Sequence, residues 1–165
     1  MRWIIQDEIM GMPQIGSVNT PPPPNQVPSG QIVHAVERSI PLGGGEFLYL
    51  QGAAGTQLGA VVGYDSFNNT TTLAPAASSG TPVAVAQAAT GAGQWGYYQI
   101  TGATVALKDG TALTAGGPVG LGTINGTIGA VVATRQLIGA KVLNAAAAGA
   151  ANATILLSRP AVAQS

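Results

Sequence analysis

The chain has 165 residues, 46% of them hydrophobic, which fits one domain with a sizeable core plus an appendage. Only 7% are charged, six basic against six acidic, whereas an ordinary soluble domain carries about 25%. No basic stripe exists to neutralise phosphates, which argues against nucleic-acid binding, and the lack of cysteine excludes disulfides, thiolate metal sites and cysteine nucleophiles. Charge is also unevenly spread: Asp65 and Lys108 bracket a stretch with none, and a second gap runs from Asp109 to Arg135. A lone monomer normally covers itself with charge, so a surface this neutral is expected to pack against neighbours.

At the N-terminus the apolar run Trp3-Ile4-Ile5 is interrupted by Asp7 and Glu8, too short and too acidic for a signal peptide. With no glycine-free apolar run of about 18 residues, no transmembrane helix is expected, and the chain is read as made in and soluble in a cytoplasm. Pro13, Pro21 to Pro24, Pro28 and Pro41 exclude a regular helix or a central strand here, and Pro21 to Pro24 predicts polyproline II. A disordered leader would have this composition, but Trp3, Ile4, Ile5, Ile9 and Met10 at the tip of a tether favour an arm that anchors on a partner. Residues 1–43 are therefore read as an extended Pro-rich arm and residues 44–165 as a β-rich body.

After the glycine hinge Gly43 to Gly45, short β-type runs follow one another. Glu46 to Ala53 is apolar on both faces (Phe47 and Tyr49 on one, Leu48 and Leu50 on the other), as in a strand buried on both sides. Further strands are predicted at Ala60 to Tyr64, Thr70 to Leu73, Val83 to Gln87, Trp95 to Thr101 and Thr104 to Leu107. Val119 to Thr123, Gly126 to Ala133, Leu137 to Leu143 and Thr154 to Ser158 follow. Turn residues separate them at Asn68-Asn69, Ser78-Ser79-Gly80, Lys108-Asp109-Gly110 and Asn125-Gly126; the Asp-Gly and Asn-Gly pairs signal hairpins. Gly80 to Ala86 and Gly116 to Gly122 echo each other: glycine, then proline first in a strand, then large residues alternating with small ones, as a tightly curved barrel prefers. Asn144 to Ala151 is alanine-rich but short and holds Gly149, so it reads as a loop with at most one helical turn. The fold class expected is all-β, a small β-barrel or sandwich of short antiparallel strands with an extended Pro-rich N-terminal arm.

Chemistry is hard to place on this chain. His34 is the only histidine, with Glu37 its nearest acidic neighbour in sequence, and lone histidines are commonly structural or solvated. The carboxylates Asp7, Glu8, Glu37, Glu46, Asp65 and Asp109 have neither Ca²⁺-loop nor paired-acid spacing. Gly120-Leu121-Gly122 and Gly52 to Gly55 lack the residues that complete a phosphate loop or a dinucleotide fingerprint. Trp95, Tyr97 and Tyr98 form the densest aromatic cluster, read as core plus subunit interface, with a sugar- or base-stacking platform as the alternative. The expectation is a non-enzyme without cofactor or metal.

The runs Phe47-Leu48-Tyr49-Leu50-Gln51-Gly52-Ala53 and Gln94-Trp95-Gly96-Tyr97-Tyr98-Gln99-Ile100-Thr101-Gly102, with the Gly-x-Pro-Val-Ala-Val-Ala strand between them, resemble small head proteins of tailed bacteriophages, the capsid decoration (cement) proteins. The resemblance spans Glu46 to Gly102, with a weaker echo from Gly139 to Arg159-Pro160. It implies a β-rich body clustered at capsid symmetry axes, and an N-terminal segment that grips the major capsid protein. The expected role is a virion structural protein on the capsid outer surface, self-associating as a trimer. Its contacts are expected through Trp3, Ile4, Ile5, Phe47, Tyr49, Leu50, Trp95, Tyr97 and Tyr98, with no nucleic-acid or membrane partner. The alternatives are a tail, spike or head-fibre adaptor and a carbohydrate-binding adhesin module.

Overall fold

The computed structural model describes residues 3–6, 13–19, 30–37, 43–74, 80–132 and 134–163. The polyproline run, Ile9, Met10 and the Ser78-Ser79 turn lie outside them. Twelve strands and no helix make up the described chain.

One sheet holds β1 (Trp3–Ile5), β2 (Ile32–Glu37), β3 (Gly44–Gln51), β4 (Val61–Asp65), β5 (Thr70–Leu73), β6 (Val83–Ala86) and β7 (Trp95–Gln99). Its order is β1-β2-β3-β5-β4-β6-β7, and β7 also pairs with β3, so the strands from β3 to β7 close into a small ring. Every pairing is antiparallel except β3 with β5, a single parallel pair at Gln51 and Thr70. The second sheet holds β8 (Thr101–Leu107), β9 (Pro118–Leu121), β10 (Ile128–Gly129), β11 (Gln136–Val142) and β12 (Asn152–Val162), in the order β10-β9-β11-β12-β8. It curls until its two outer strands approach each other, where Lys108 and Ile128 form a parallel bridge. The all-β class expected from sequence, a small barrel or sandwich, is therefore the one observed.

Three cores fill this architecture, and side-chain size explains the layering. Within the ring lie Leu48, Leu50, Val62, Tyr98 and Ile100, with Ala60, Ala84 and Ala86. In the Val83-Ala84-Val85-Ala86 strand the alanines point into the narrow ring, where a larger side chain would collide with its neighbours. The valines point outward into the largest core, against Val119, Leu121, Ile128, Ile155 and Leu157 of the second sheet. On the opposite flank, Phe47, Tyr49 and Tyr97 pack with Val33 and Ala35. Strand β3 is thus buried on both faces, as its pattern predicts, because cores of the same chain lie on either side of it.

The two sheets are joined by one run of chain. β7 and β8 are nearly continuous, and the path changes sheet at Ile100 to Gly102. Gly102 sits at φ +90°, and a Cβ there would collide with the backbone of Gly44. Only glycine tolerates both the conformation and the close approach.

Three expectations differ from the structure. The Lys108-Asp109-Gly110 segment is no hairpin turn: β8 pairs with β12, and Lys108 and Asp109 are buried. The proposed strand Gly126 to Ala133 shrinks to Ile128–Gly129, because the chain leaves the ladder at Ala130. The boundary at residue 43 also does not separate an arm from a body. Ile32–Glu37 forms β2, paired along β3 from Ile32–Leu48 to Val36–Gly44, with Val33 and Ala35 buried. The Asn125-Gly126 hairpin is present between β9 and β10, and 144–151 is a loop of bends and turns.

Candidate interaction surface

Five of the residues assigned to an interface from the sequence are interior. Phe47, Tyr49, Leu50, Tyr97 and Tyr98 are fully buried. Leu50 and Tyr98 fill the ring, where the Tyr98 hydroxyl hydrogen-bonds the Thr90 hydroxyl at 2.8 Å. Tyr49 stacks on Trp95 with ring centroids 5.7 Å apart and meets Tyr97 at 5.0 Å. The cover that the sequence reading gave to a neighbouring subunit comes from this chain's own N-terminal segments. Ile5 and Ile15 pack on the cluster, Asn19 pairs by backbone with Trp95, and its amide donates to the Tyr49 hydroxyl at 3.0 Å. Burial pushes the Tyr49 phenol up, opposed by that hydrogen bond. Trp95 is half-buried, with one face against Tyr49. The aromatic cluster is thus no open stacking platform for a sugar or base.

The apolar groups that do reach the surface lie elsewhere. Trp3–Ile5 forms β1 at the margin of the first sheet, and among the described residues it pairs with β2 alone. Ile4 stands opposite Val36 there and is 40% exposed, with Ile32 on β2 at 38%. Phe67, between β4 and β5, is 91% exposed, and Leu58, before β4, is 62% exposed. The sequence reading missed both. The available signal was an aromatic residue placed inside a turn cluster, Ser66-Phe67-Asn68-Asn69, where polar residues are usual.

Beside the β2–β3 pair lies a shallow dish lined by Gln6, His34, Gly45, Glu46 and Thr101. Glu46 is its charged centre. Arg159 donates to both carboxylate oxygens at 3.1 Å, and His34 Nε2 lies 3.4 Å from Oε1. The Arg159 hydrogen bonds hold the Glu46 carboxyl below its ordinary range, outweighing its partial burial. Its oxygens are committed to the guanidinium, so Glu46 works as a tie between strands. Among the described residues, no three His, Cys, Asp or Glu side chains form a group suited to a metal ion. No described helix is long and apolar enough to cross a membrane.

A second polar cluster is internal. The Lys108 ammonium donates to the carbonyls of Asp109 (2.7 Å), Thr111 (2.6 Å) and Ala148 (3.2 Å). The Asp109 carboxylate accepts from Thr111 N and Oγ1 and from Thr123 N. Burial alone would raise the Asp109 pKa, but these donors and the Lys108 charge together hold it below the usual carboxylate range. Gly129 packs so closely on this carboxylate that a Cβ there would overlap it. The cluster braces the loops at one end of the second sheet.

A groove of about 460 Å³ opens where Ile15 and Leu58 face Val105 and Leu107, with Gln87, Thr104 and Asn152 also lining it. Its lining carries no formal charge. Comparison with protein-family models and with curated proteins finds no match for this chain.

Proposed function

We propose that this chain is a non-catalytic structural protein of a tailed-bacteriophage head, which decorates the assembled capsid from outside and stabilises it through protein–protein contacts. The observation that carries this reading is the N-terminal segment laid down as a marginal strand, with Ile4 and Ile32 exposed beside it. A margin of this kind can accept a further strand from a partner, with backbone hydrogen bonds for affinity and apolar side chains for fit. The near absence of charge agrees with a surface meant to be covered. The sequence resemblance supplies the kind of partner, a major capsid protein, and repetition over the shell makes individually weak contacts sufficient.

The test uses shells assembled without this protein. The full chain should co-sediment with them in hundreds of copies and raise the temperature at which they release DNA. Ile4→Asp should abolish binding and leave the circular dichroism unchanged, because it puts a charge into an apolar contact. Saturation at about a dozen copies would indicate a vertex or tail adaptor instead, since avidity over a whole lattice requires many sites. Absence of binding to the shell would overturn the reading.

A further inference from the structure

We infer that Asn125-Gly126 is a modification site, where Asn125 converts to aspartate and isoaspartate without an enzyme, at a rate set by undocking of its turn from the first sheet. Of the seven asparagines in the chain, Asn125 alone is followed by glycine. It is exposed, at the tip of the connection between β9 and β10. In the reaction the Gly126 backbone nitrogen gives up its proton to solvent and attacks the Asn125 side-chain carbonyl carbon. A carbon–nitrogen bond forms, the bond to the side-chain nitrogen breaks, and that nitrogen takes a proton and leaves as ammonia. Water then opens the resulting cyclic imide at either carbonyl. One opening gives aspartate, and the other gives isoaspartate, with an added methylene in the main chain. A following glycine favours the attack because it has no Cβ to hinder the approach.

The fold requires that glycine and also occupies its nitrogen. Thr127 N donates to the Ile124 carbonyl at 3.2 Å, closing a turn in which Gly126 has φ +81°. A Cβ on Gly126 would lie 3.0 Å from Leu73 Cδ2 and 3.7 Å from the Ala60 methyl. Beyond the end of the β4–β5 ladder, Ala74 N donates to the Val61 carbonyl at 3.1 Å. The return bond is interrupted by Gly126: Val61 N donates to the Gly126 carbonyl at 2.8 Å, and Gly126 N donates to the Ala74 carbonyl at 3.1 Å. The tip of a second-sheet hairpin is thus wedged into the first sheet.

This docking gates the chemistry. Attack on Asn125 requires the Gly126 nitrogen to release the Ala74 carbonyl, so the reactive form is the undocked one. Val61 and Ala74 are both buried, and undocking leaves a donor and an acceptor there without partners, which is costly. Exposure of the Asn125 side chain therefore does not make it reactive in the docked state. The isoaspartyl product carries the longer main chain in this turn, which moves Gly126 relative to Val61 and Ala74. Both bonds cannot then re-form, and the joint between the sheets stays weakened. None of this depends on a capsid partner, and the isolated full chain tests it.

The full chain is held in mildly alkaline buffer, native and in urea, and conversion is followed by peptide mass mapping with an isoaspartate assay. In urea Asn125 should convert ahead of every other asparagine. In the native chain it should convert at least about tenfold more slowly, because the reaction waits on a local opening. Urea below the unfolding transition should raise its rate in step with hydrogen exchange at the Gly126 amide. Asn125→Gln changes one exposed side chain, so it should melt like the wild type while losing the reaction at this position. The isolated isoaspartyl chain should melt below the wild type and exchange faster at the Val61 amide. Equal rates in native and unfolded chains, another asparagine converting first in urea, conversion independent of Gly126 exchange, or an isoaspartyl chain with wild-type melting overturns the proposal.

Discussion

Arg159 and Glu46, 113 positions apart in sequence, make a two-pronged ion pair that ties β12 of the second sheet to β3 of the first. Arg159 adopts φ 44°, a left-handed conformation that is costly for a side chain of this size. Its backbone N–H also donates to the Ile100 carbonyl at 2.8 Å, beside the point where β7 becomes β8. The conformation aims the guanidinium back across the junction between the sheets.

This pair makes part of the stability depend on acid. The folded-state pKa of Glu46 is depressed, so its contribution is complete above the unfolded value and is lost as pH falls through the folded one. Glu46→Gln should therefore melt below the wild type at pH 7. The gap should close as pH drops below the ordinary glutamate range of about 4.3. Thermal melts of both proteins across that range check this; a constant gap would show that packing, not charge, carries the effect.

Two adjacent tyrosines should respond oppositely to loss of their hydroxyls. Tyr98 shares a 2.8 Å hydrogen bond with Thr90, and Tyr98→Phe should cost about 1 kcal/mol. The buried Tyr97 hydroxyl has no hydrogen-bond partner among the described residues. Tyr97→Phe should be neutral or stabilising by up to about 1 kcal/mol, since it removes an unsatisfied polar group. Urea denaturation of the two variants, side by side, decides it.

Lys108→Met keeps the apolar stem and removes the ammonium from the three carbonyls to which it donates. The expected loss is about 1 to 3 kcal/mol, because one buried and two part-buried acceptors lose their donor and Asp109 loses a neighbouring positive charge. Chemical denaturation measures the loss, and a change under about 0.5 kcal/mol, the size usual for surface positions, would contradict the role assigned to Lys108.

Truncation should locate the true edge of the folded unit. A chain beginning at Gly30 keeps β2 and should fold cooperatively, with lower stability from the loss of Ile5 and Ile15. A chain beginning at Gly44 loses Val33 and Ala35 and bares Phe47 and Tyr49. It should aggregate, because a flat apolar strand face and an open edge are exposed together. Solubility and unfolding curves for the two lengths distinguish this from a body independent of residues 1–43.

The strands were legible in the sequence because their signals are local. Thr70–Leu73 and Val83–Ala86 stand between turn residues and carry β-branched or alternating side chains, so their positions follow from local preference, the second ending one residue before the expected Gln87. The two-sided burial of Phe47 to Leu50 was legible for the same reason: an apolar run with no polar face needs cover on both sides. Sequence could not say whose atoms provide that cover. The tertiary structure gives the task to Val33, Ala35 and Ile15 of the same chain, which turns an expected interface into a core. Lys108 and Asp109 show the same limit. Lys-Asp-Gly between apolar runs has the chemistry of an exposed turn, and only the return of Thr123 and Ala148 from distant loops makes it a buried cluster. Phe67 is the converse case: its residue type suggests burial, but the turn formed by Asp65 and Asn69 projects it outward. Local preference determines which residues extend and which turn; which surfaces meet depends on long-range closure of the sheets, and that closure is set by the sum of contacts far apart in sequence.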